Sequence, residues 1–206
     1  MLILAADTSL PLLSVALTED ARLLGAVVLE GKGSRNEKLL PAIDWLLGES
    51  GVDRARIDLF AVTRGPGSFT GVRIGLATIQ GLGLALDKPV CAMSTHEAIA
   101  SAFTQTRRLA IVDDAGRGEF YVSVFEDGRE VVPPRLATSP ERNDITAGVT
   151  VIEVSEFLQR DNVAAGCARR SSRISNAGDL ARYADATPIY VRLAEAEVKL
   201  QQTRNG

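Results

Sequence analysis

Three short polar segments hold the residue types that could do chemistry. The first, Asp7-Thr8-Ser9, sets one carboxylate and two hydroxyls directly after an apolar run. Ligands gather at such strand ends in parallel and mixed sheets. A carboxylate with hydroxyls can orient magnesium and phosphate there. The same triplet also makes an ordinary turn in which Asp and Ser cap their own backbone, and a lone triplet favours the turn. The second segment is a glycine-rich loop, Arg64-Gly65-Pro66-Gly67-Ser68-Phe69-Thr70-Gly71. Gly65, Gly67 and Gly71 admit positive φ. Ser68 and Thr70 add hydroxyls, Arg64 and Arg73 add charge, and a following helix start adds free N–H donors. Such a place can hold an anion. It has neither the Gly-Lys-Ser/Thr ending of a Walker loop nor the Gly-x-Gly-x-x-Gly spacing. A tight turn that lets the next helix pack closely accounts for the glycines equally well. The third segment, Asp113-Asp114-Ala115-Gly116, takes the matching place in the second half. Asp7 and Asp114 could thus flank a nucleotide cleft. Taken alone, Asp113–Gly116 is better explained as a turn.

Other chemistries lack their residues. His96 is the one histidine, and Cys91 and Cys167 are far apart. No zinc site follows from so few scattered ligands, so no metal is expected. Free thiols without a disulfide pattern fit a reducing cytoplasm. No serine sits in a Gly-x-Ser-x-Gly elbow, and no two acids pair for acid–base work. The net charge of −3 leaves no basic footprint of the kind an unaided nucleic-acid binder carries. Met1–Ala6 is apolar but has no basic stretch before it, so it reads as a buried strand rather than a leader. No uninterrupted apolar run reaches membrane-spanning length.

The elements that must position these segments follow from periodicity. Leu2–Ala6, Leu13–Leu17 and Leu24–Leu29 predict three strands joined by short turns. Leu39, Leu40, Ile43, Leu46 and Leu47 line one helix face. Asn36 would cap that helix and Gly51 would end it, while Pro41 argues for a start near Leu40. Asp58–Thr63 predicts a strand, Val72–Leu86 a long helix, Pro89–Met93 a strand, and Ser94 caps a helix to about Phe103. The order is β-β-β-α-β-α-β-α, an α/β lobe. In the second half Leu109–Val112, Glu119–Phe125 and Glu130–Leu136 predict strands, with a turn at Glu126-Asp127-Gly128. Beyond them, Ser139–Gly148 reads as loop, Val149–Val154 as strand and Ser155–Arg160 as a helical turn. Val163–Ala165 reads as a short strand, Asn176–Tyr183 as a helix and 196–206 as a polar tail. On the long helix Gly71, Gly75 and Thr78 make a small-residue face beside Leu76, Ile79, Leu82 and Gly83. Glycine inside a helix costs about 1 kcal/mol against alanine, so a packing reason is expected. Pattern alone favours packing on the chain's own sheet over a surface for another chain.

Several strings resemble the bacterial TsaB (YeaZ) family. They are Leu4-Ala5-Ala6-Asp7-Thr8-Ser9, Leu39-Leu40-Pro41, Arg64 through Gly75, Gln80-Gly81-Leu82, Ser94-Thr95, Gly118-Glu119-Phe120-Tyr121 and Pro188-Ile189-Tyr190-Val191-Arg192. The match covers residues 1 to about 126 well and the rest in patches. The resemblance implies an actin/Hsp70-like (ASKHA) two-lobe fold, with lobes at 1–106 and 107–206, the second one reduced. It implies a part, with TsaD and TsaE, in threonylcarbamoyl transfer to the adenosine beside the tRNA anticodon. TsaD, the catalytic paralogue, carries a metal-binding His-x-x-x-His at the start of the helix equivalent to residues 94–103. Thr95 and Ile99 stand at those positions here, so the resemblance implies a non-catalytic partner. It also implies that the first two helices pair with TsaD, or with a second copy of this chain. The implied interface is Leu39, Leu40, Ile43, Leu46, Leu47, Gly75, Leu76, Ile79, Leu82 and Gly83. Ala165-Gly166-Cys167 is the nearest trace of an adenosine-binding Gly-Gly pair. No cofactor of its own is therefore expected, with ATP or ADP bound only in the complex and tRNA met indirectly. The alternative is a stand-alone actin-fold ATPase or phosphotransferase built on Asp7, Asp114 and the 65–71 loop.

Overall fold

Strand β1 (Leu2–Asp7) is buried along its whole length, which explains its unbroken apolar run. The computed structural model describes residues 1–20, 22–30 and 35–192; the expected tail at 196–206 lies outside them. β2 (Leu13–Glu19) and β3 (Arg22–Leu29) continue β1 as an antiparallel meander. β4 (Leu59–Thr63) and β5 (Val90–Met93) add in parallel on its other side. The order is β3-β2-β1-β4-β5.

Alternation along β1 divides the core. Leu4 and Ala6 face helices α1 (Arg35–Glu49) and α2 (Phe69–Leu86), packing with Leu39, Ile43, Val72 and Ile79. Ile3 and Ala5 face the opposite side, where Ala98, Ala164, Cys167 and Ala168 cover them. Helix α3 (Thr95–Ala100) supplies the first of these covering residues. Each aliphatic side chain so buried contributes roughly 1.5–3 kcal/mol. By length and composition α2 could cross a bilayer; in the fold its Val72, Leu76 and Ile79 are buried against the sheet.

The second half repeats the opening. β6 (Arg108–Gly116), β7 (Glu119–Glu126) and β8 (Arg129–Thr138) form a meander, and β9 (Thr150–Glu153) pairs in parallel with β6. The order β8-β7-β6-β9 copies the first four strands of the other sheet.

Several expectations need correction. Ser139–Gly148 is not loop throughout: α4 (Ser139–Thr146) occupies most of it. Its start is held by Glu141, whose carboxylate accepts the N–H and hydroxyl of Thr138, each at 2.8 Å. The helical turn shortens to α5 (Val154–Phe157). Val163–Ala165 is no strand but the first turn of α6 (Val163–Asn176), capped by Asn162. α6 crosses from the second half to lie on β1, β2 and β4. Its small residues permit that approach: a Cβ on Gly166 would sit 2.3 Å from Ala98 O. The helix expected at Asn176–Tyr183 stops at once, because Gly178 takes φ +75° and leaves only a 3-10 turn at Leu180–Tyr183. α1 begins at Arg35 despite Pro41. Proline there removes one intrahelical N–H bond, which the buried face outweighs. Gly51 ends α1 as expected, with φ +63° and a Val52 N–H to Leu47 O bond of 3.0 Å.

Candidate functional site

β1 and β4 run parallel, so their C-terminal ends bring Asp7 and Thr63 together. Asp7 is fully buried. Its Oδ1 accepts from Ser9 Oγ at 2.5 Å, from Ser9 N–H at 3.2 Å, and from Thr63 Oγ1. Burial pushes the carboxyl above its usual range, and the Ser9 and Thr63 bonds pull against that. Oδ2 has no hydrogen-bond partner among the described residues.

The glycine loop sits directly on this triplet. Ser68 N–H donates to Ser9 O at 2.7 Å, and Thr8 Oγ1 donates to Gly71 O at 2.6 Å. A Cβ at Gly67 would lie 2.4 Å from Ser9 O, and one at Gly71 would lie 2.0 Å from Thr8 O. At Gly75 it would lie 2.5 Å from Thr8 Oγ1. Close packing against residues 8–9 therefore accounts for these glycines. Ser68 caps α2 by accepting from Gly71 N–H at 3.2 Å, which starts the helix earlier than Val72. The N–H groups of residues 68, 71 and 72 are thus already bonded within the chain.

Between this loop and the end of β6 lies a cleft of about 370 Å³, lined by Ser9, Gly67, Ser68, Asp113, Asp114 and Tyr121 among others. Asp114 is exposed and its Oδ1 accepts from Gly116 N–H at 2.7 Å. The perturbed acid is its neighbour Asp113, raised to about 6 by burial and by the nearby carboxylates of Asp114, Asp7 and Glu153. The period of two along β6 held that distinction, since one face of the strand turns inward. Thr70 is exposed on the first turn of α2 and does not line the cleft. A larger cleft of about 810 Å³ shares none of these residues; Glu97, Glu130, Arg170 and Tyr183 line it. Glu97 accepts there from Arg170 Nε at 2.8 Å and from Tyr183 OH at 2.7 Å. Its framework comes from α6, which the sequence reading lacked.

α3 starts beside the strand-end cleft. Thr95 is buried, its hydroxyl 2.9 Å from Ser9 Oγ and its N–H bonded to Gly65 O at 2.8 Å. Ile99 is wholly core. His96 is buried with Nδ1 2.7 Å from Ser123 Oγ, and burial lowers it to about 3, so it is neutral at pH 7. Among the described residues no group of three or more His, Cys, Asp or Glu could hold a metal ion.

The helix faces divide unequally. Leu39, Ile43, Leu46, Leu47, Leu76 and Ile79 are core, and Gly75 and Gly83 are buried too. A Cβ on Gly83 would meet Val90 Cγ2 at 2.5 Å. These side chains face the chain's own sheet, which left the sequence pattern unable to separate them from a surface. Leu82 is half-buried, and Leu40 is 46% exposed. Two apolar residues of these helices not singled out from sequence are also exposed: Trp45 at 59% and Leu84 at 87%. Gly81 is exposed as well, with nothing within 4 Å of a Cβ. Their signal was position: they fall on the helix sides opposite the core stripes.

Residues 32–186 match the family described as TsaD: tRNA N6-adenosine threonylcarbamoyltransferase. The Bacillus subtilis tRNA threonylcarbamoyladenosine biosynthesis protein TsaB is 28% identical over 97% of both chains. The chain belongs to this family, on its TsaB (YeaZ) branch. Escherichia coli TsaB is 37% identical over 61% of this chain and 55% of its own length. For Haemophilus influenzae TsaB the identity is also 37%, over 59% and 52%; the chain thus spans about half the length of these two relatives. The structure of YeaZ from Pseudomonas aeruginosa superimposes with a TM-score of 0.74 at 27% identity, covering 92% of this chain and 99% of that one. The fold is that of the YeaZ structure, with the actin/Hsp70-like strand order expected from the resemblance repeated in two sheets. Thr95 is thus spent on Ser9, and Ile99 on the core.

Proposed function

We propose that this chain serves tRNA threonylcarbamoyladenosine biosynthesis as a non-catalytic scaffold that binds and activates the TsaD transferase. The observation that carries this reading is the burial of Thr95 and Ile99, the two positions that the resemblance sets against the TsaD metal-binding pair. The contact surface is the outer side of α1 and α2, where Leu40, Trp45 and Leu84 are exposed and Gly81 leaves room for close approach. The chain needs no cofactor of its own, and ATP or ADP binds only in the complex. TsaE joins that complex, tRNA is reached through it, and a second copy covers the helices when TsaD is absent. The cytoplasm is the compartment, in keeping with buried free Cys91 and Cys167.

Reconstituted tRNA modification by TsaD and TsaE, with and without this chain, tests the role. Product formation should fall at least tenfold without it; equal yields would sink the proposal. Trp45→Glu and Leu84→Glu test the surface. Both should fold normally and weaken TsaD binding tenfold or more, and an undiminished complex would place the contact elsewhere. Ile79→Glu is unsuitable, because a charge at a fully buried position unfolds the chain before it reports on a partner.

The acid-lined strand-end cleft favours a second reading, a stand-alone ATPase or phosphotransferase. Calorimetry of the isolated chain with Mg-ATP separates the two. Low-micromolar affinity that Asp7→Ala abolishes would support the enzyme, and no heat of binding would support the scaffold.

A further inference from the structure

Residues 184–192 form no helix or strand after the 3-10 turn, yet they are tied down at short intervals. Ile189 N–H donates to Arg64 O at 2.7 Å. Arg64 Nη1 in turn reaches Thr187 O at 3.2 Å and Asp185 at 3.4 Å. The Tyr190 ring packs on Phe69, centroids 4.7 Å apart. The Arg73 guanidinium lies 3.8 Å over that Phe69 ring, and its Nε donates to Tyr190 OH at 2.7 Å. Two residues later the chain is fastened to the other half. Arg192 Nη1 donates to Ala115 O at 2.8 Å, and Nη2 pairs with Glu119.

The positions of the two anchors matter. Phe69 directly follows Ser68, and Ala115 itself lines the cleft beside Asp114, so the anchors stand at the two sides of the strand-end cleft. Only Val191 separates Tyr190 from Arg192, a span of about 7 Å when extended. The loop is shaped to admit this segment, since a Cβ on Gly65 would come 2.8 Å from Ile189 O. The cleft between the anchors is acidic, with Asp113 and Asp114 on one wall and buried Asp7 beneath the other.

We propose that Tyr190–Arg192 is a clasp that couples the glycine loop and the start of α2 to the β6–β7 turn and sets the width of the cleft between the halves. The clasp does not depend on which partner the helices take. Each anchor is a partly exposed aromatic or ionic contact and is therefore releasable, because solvent competes for it.

Amide hydrogen exchange on the full chain tests the coupling. Ser68 and Gly71 report on the loop, Gly116 on the turn, and Ala5 and Ile111 on the two sheets. Arg192→Ala should accelerate exchange at Gly116, and also at Ser68 and Gly71 across the cleft, by about tenfold, with Ala5 and Ile111 unchanged. Acceleration confined to Gly116 would make Arg192 a local cap and overturn the clasp. Should Ala5 and Ile111 also exchange faster, the milder Arg192→Lys, which keeps the charge but loses the fork, is judged by the same pattern. Tyr190→Phe keeps the ring on Phe69 and drops the Arg73 bond, so its effect at Ser68 and Gly71 should be smaller but present.

Discussion

Two titratable groups, Asp113 partly buried and His96 fully buried, pull the stability of this chain in opposite directions with pH. Asp113 is raised to about 6 from 3.8 by burial. The folded chain then holds that proton more tightly, so its contribution is greatest below pH 3.8 and is lost as pH rises through about 6. Asp113→Asn should accordingly stabilise the chain at pH 7 and not at pH 3.5. Partial exposure discounts the full linkage value to roughly 1–2 kcal/mol, readable from denaturant midpoints at the two pH values. His96 works the other way. Burial lowers it from 6.5 to about 3, so its contribution is present above 6.5 and drains away as pH falls toward 3. Replacing it with Gln should flatten the acid limb between pH 6 and 4. An unchanged slope there would show that His96 is not the group being charged. Neither environment was legible from residue type alone. His96 looked like any lone histidine until Ser123, 27 residues away, closed over Nδ1.

At the level of elements, glycines in one helix carry different meanings, and substitution separates them. Gly71 admits no Cβ against the backbone of Thr8, whereas Gly81 faces open space. Gly71→Ala should cost several kcal/mol or prevent folding, because a backbone carbonyl cannot give way as a flexible side chain can. Gly81→Ala should raise the midpoint of the isolated chain, by up to about 1 kcal/mol, through helix propensity. Thermal melts of the two variants check both. If Gly81→Ala stabilises the free chain yet weakens the proposed complex with TsaD, the glycine is kept for the partner. The first-half elements were legible because their periodicity is strong: β1 is apolar throughout, and α1 carries its stripe at helical spacing. α6 was not. Between Val163 and Ile174 its buried residues are small, Ala164, Ala165, Gly166, Cys167, Ala168, Ser171 and Ser172, and do not show as an apolar stripe.

For the whole molecule, α6 is the decisive feature. It follows the second sheet in sequence and covers the first in space, placing Cys167 and Ala168 in one cluster with Ile3, Cys91, Ile111 and Phe125. A core shared across both sheets should unfold as a unit. Exchange at Ala5 and Ile111 should converge on the same opening free energy under mild denaturant. Two distinct limits would mean that the halves are separable. Gly166→Val should lower both limits together, since its side chain would enter Ala98 O.

Local order, the strand ends and the signature strings could be read from the chain because each rests on neighbours in sequence: alternation, caps, and glycines beside a helix start. Membership of the family was legible for the same reason, through strings such as residues 64–75. The division of Leu39, Ile43 and Ile79 from Leu40, Trp45 and Leu84 needed the sheet in place, since one helical stripe can face either a core or a partner. The role of Asp113 needed the second lobe, and the joining of the halves needed α6 and the 184–192 segment. These are contacts between residues distant in the chain, set by chain closure in space rather than by any local pattern.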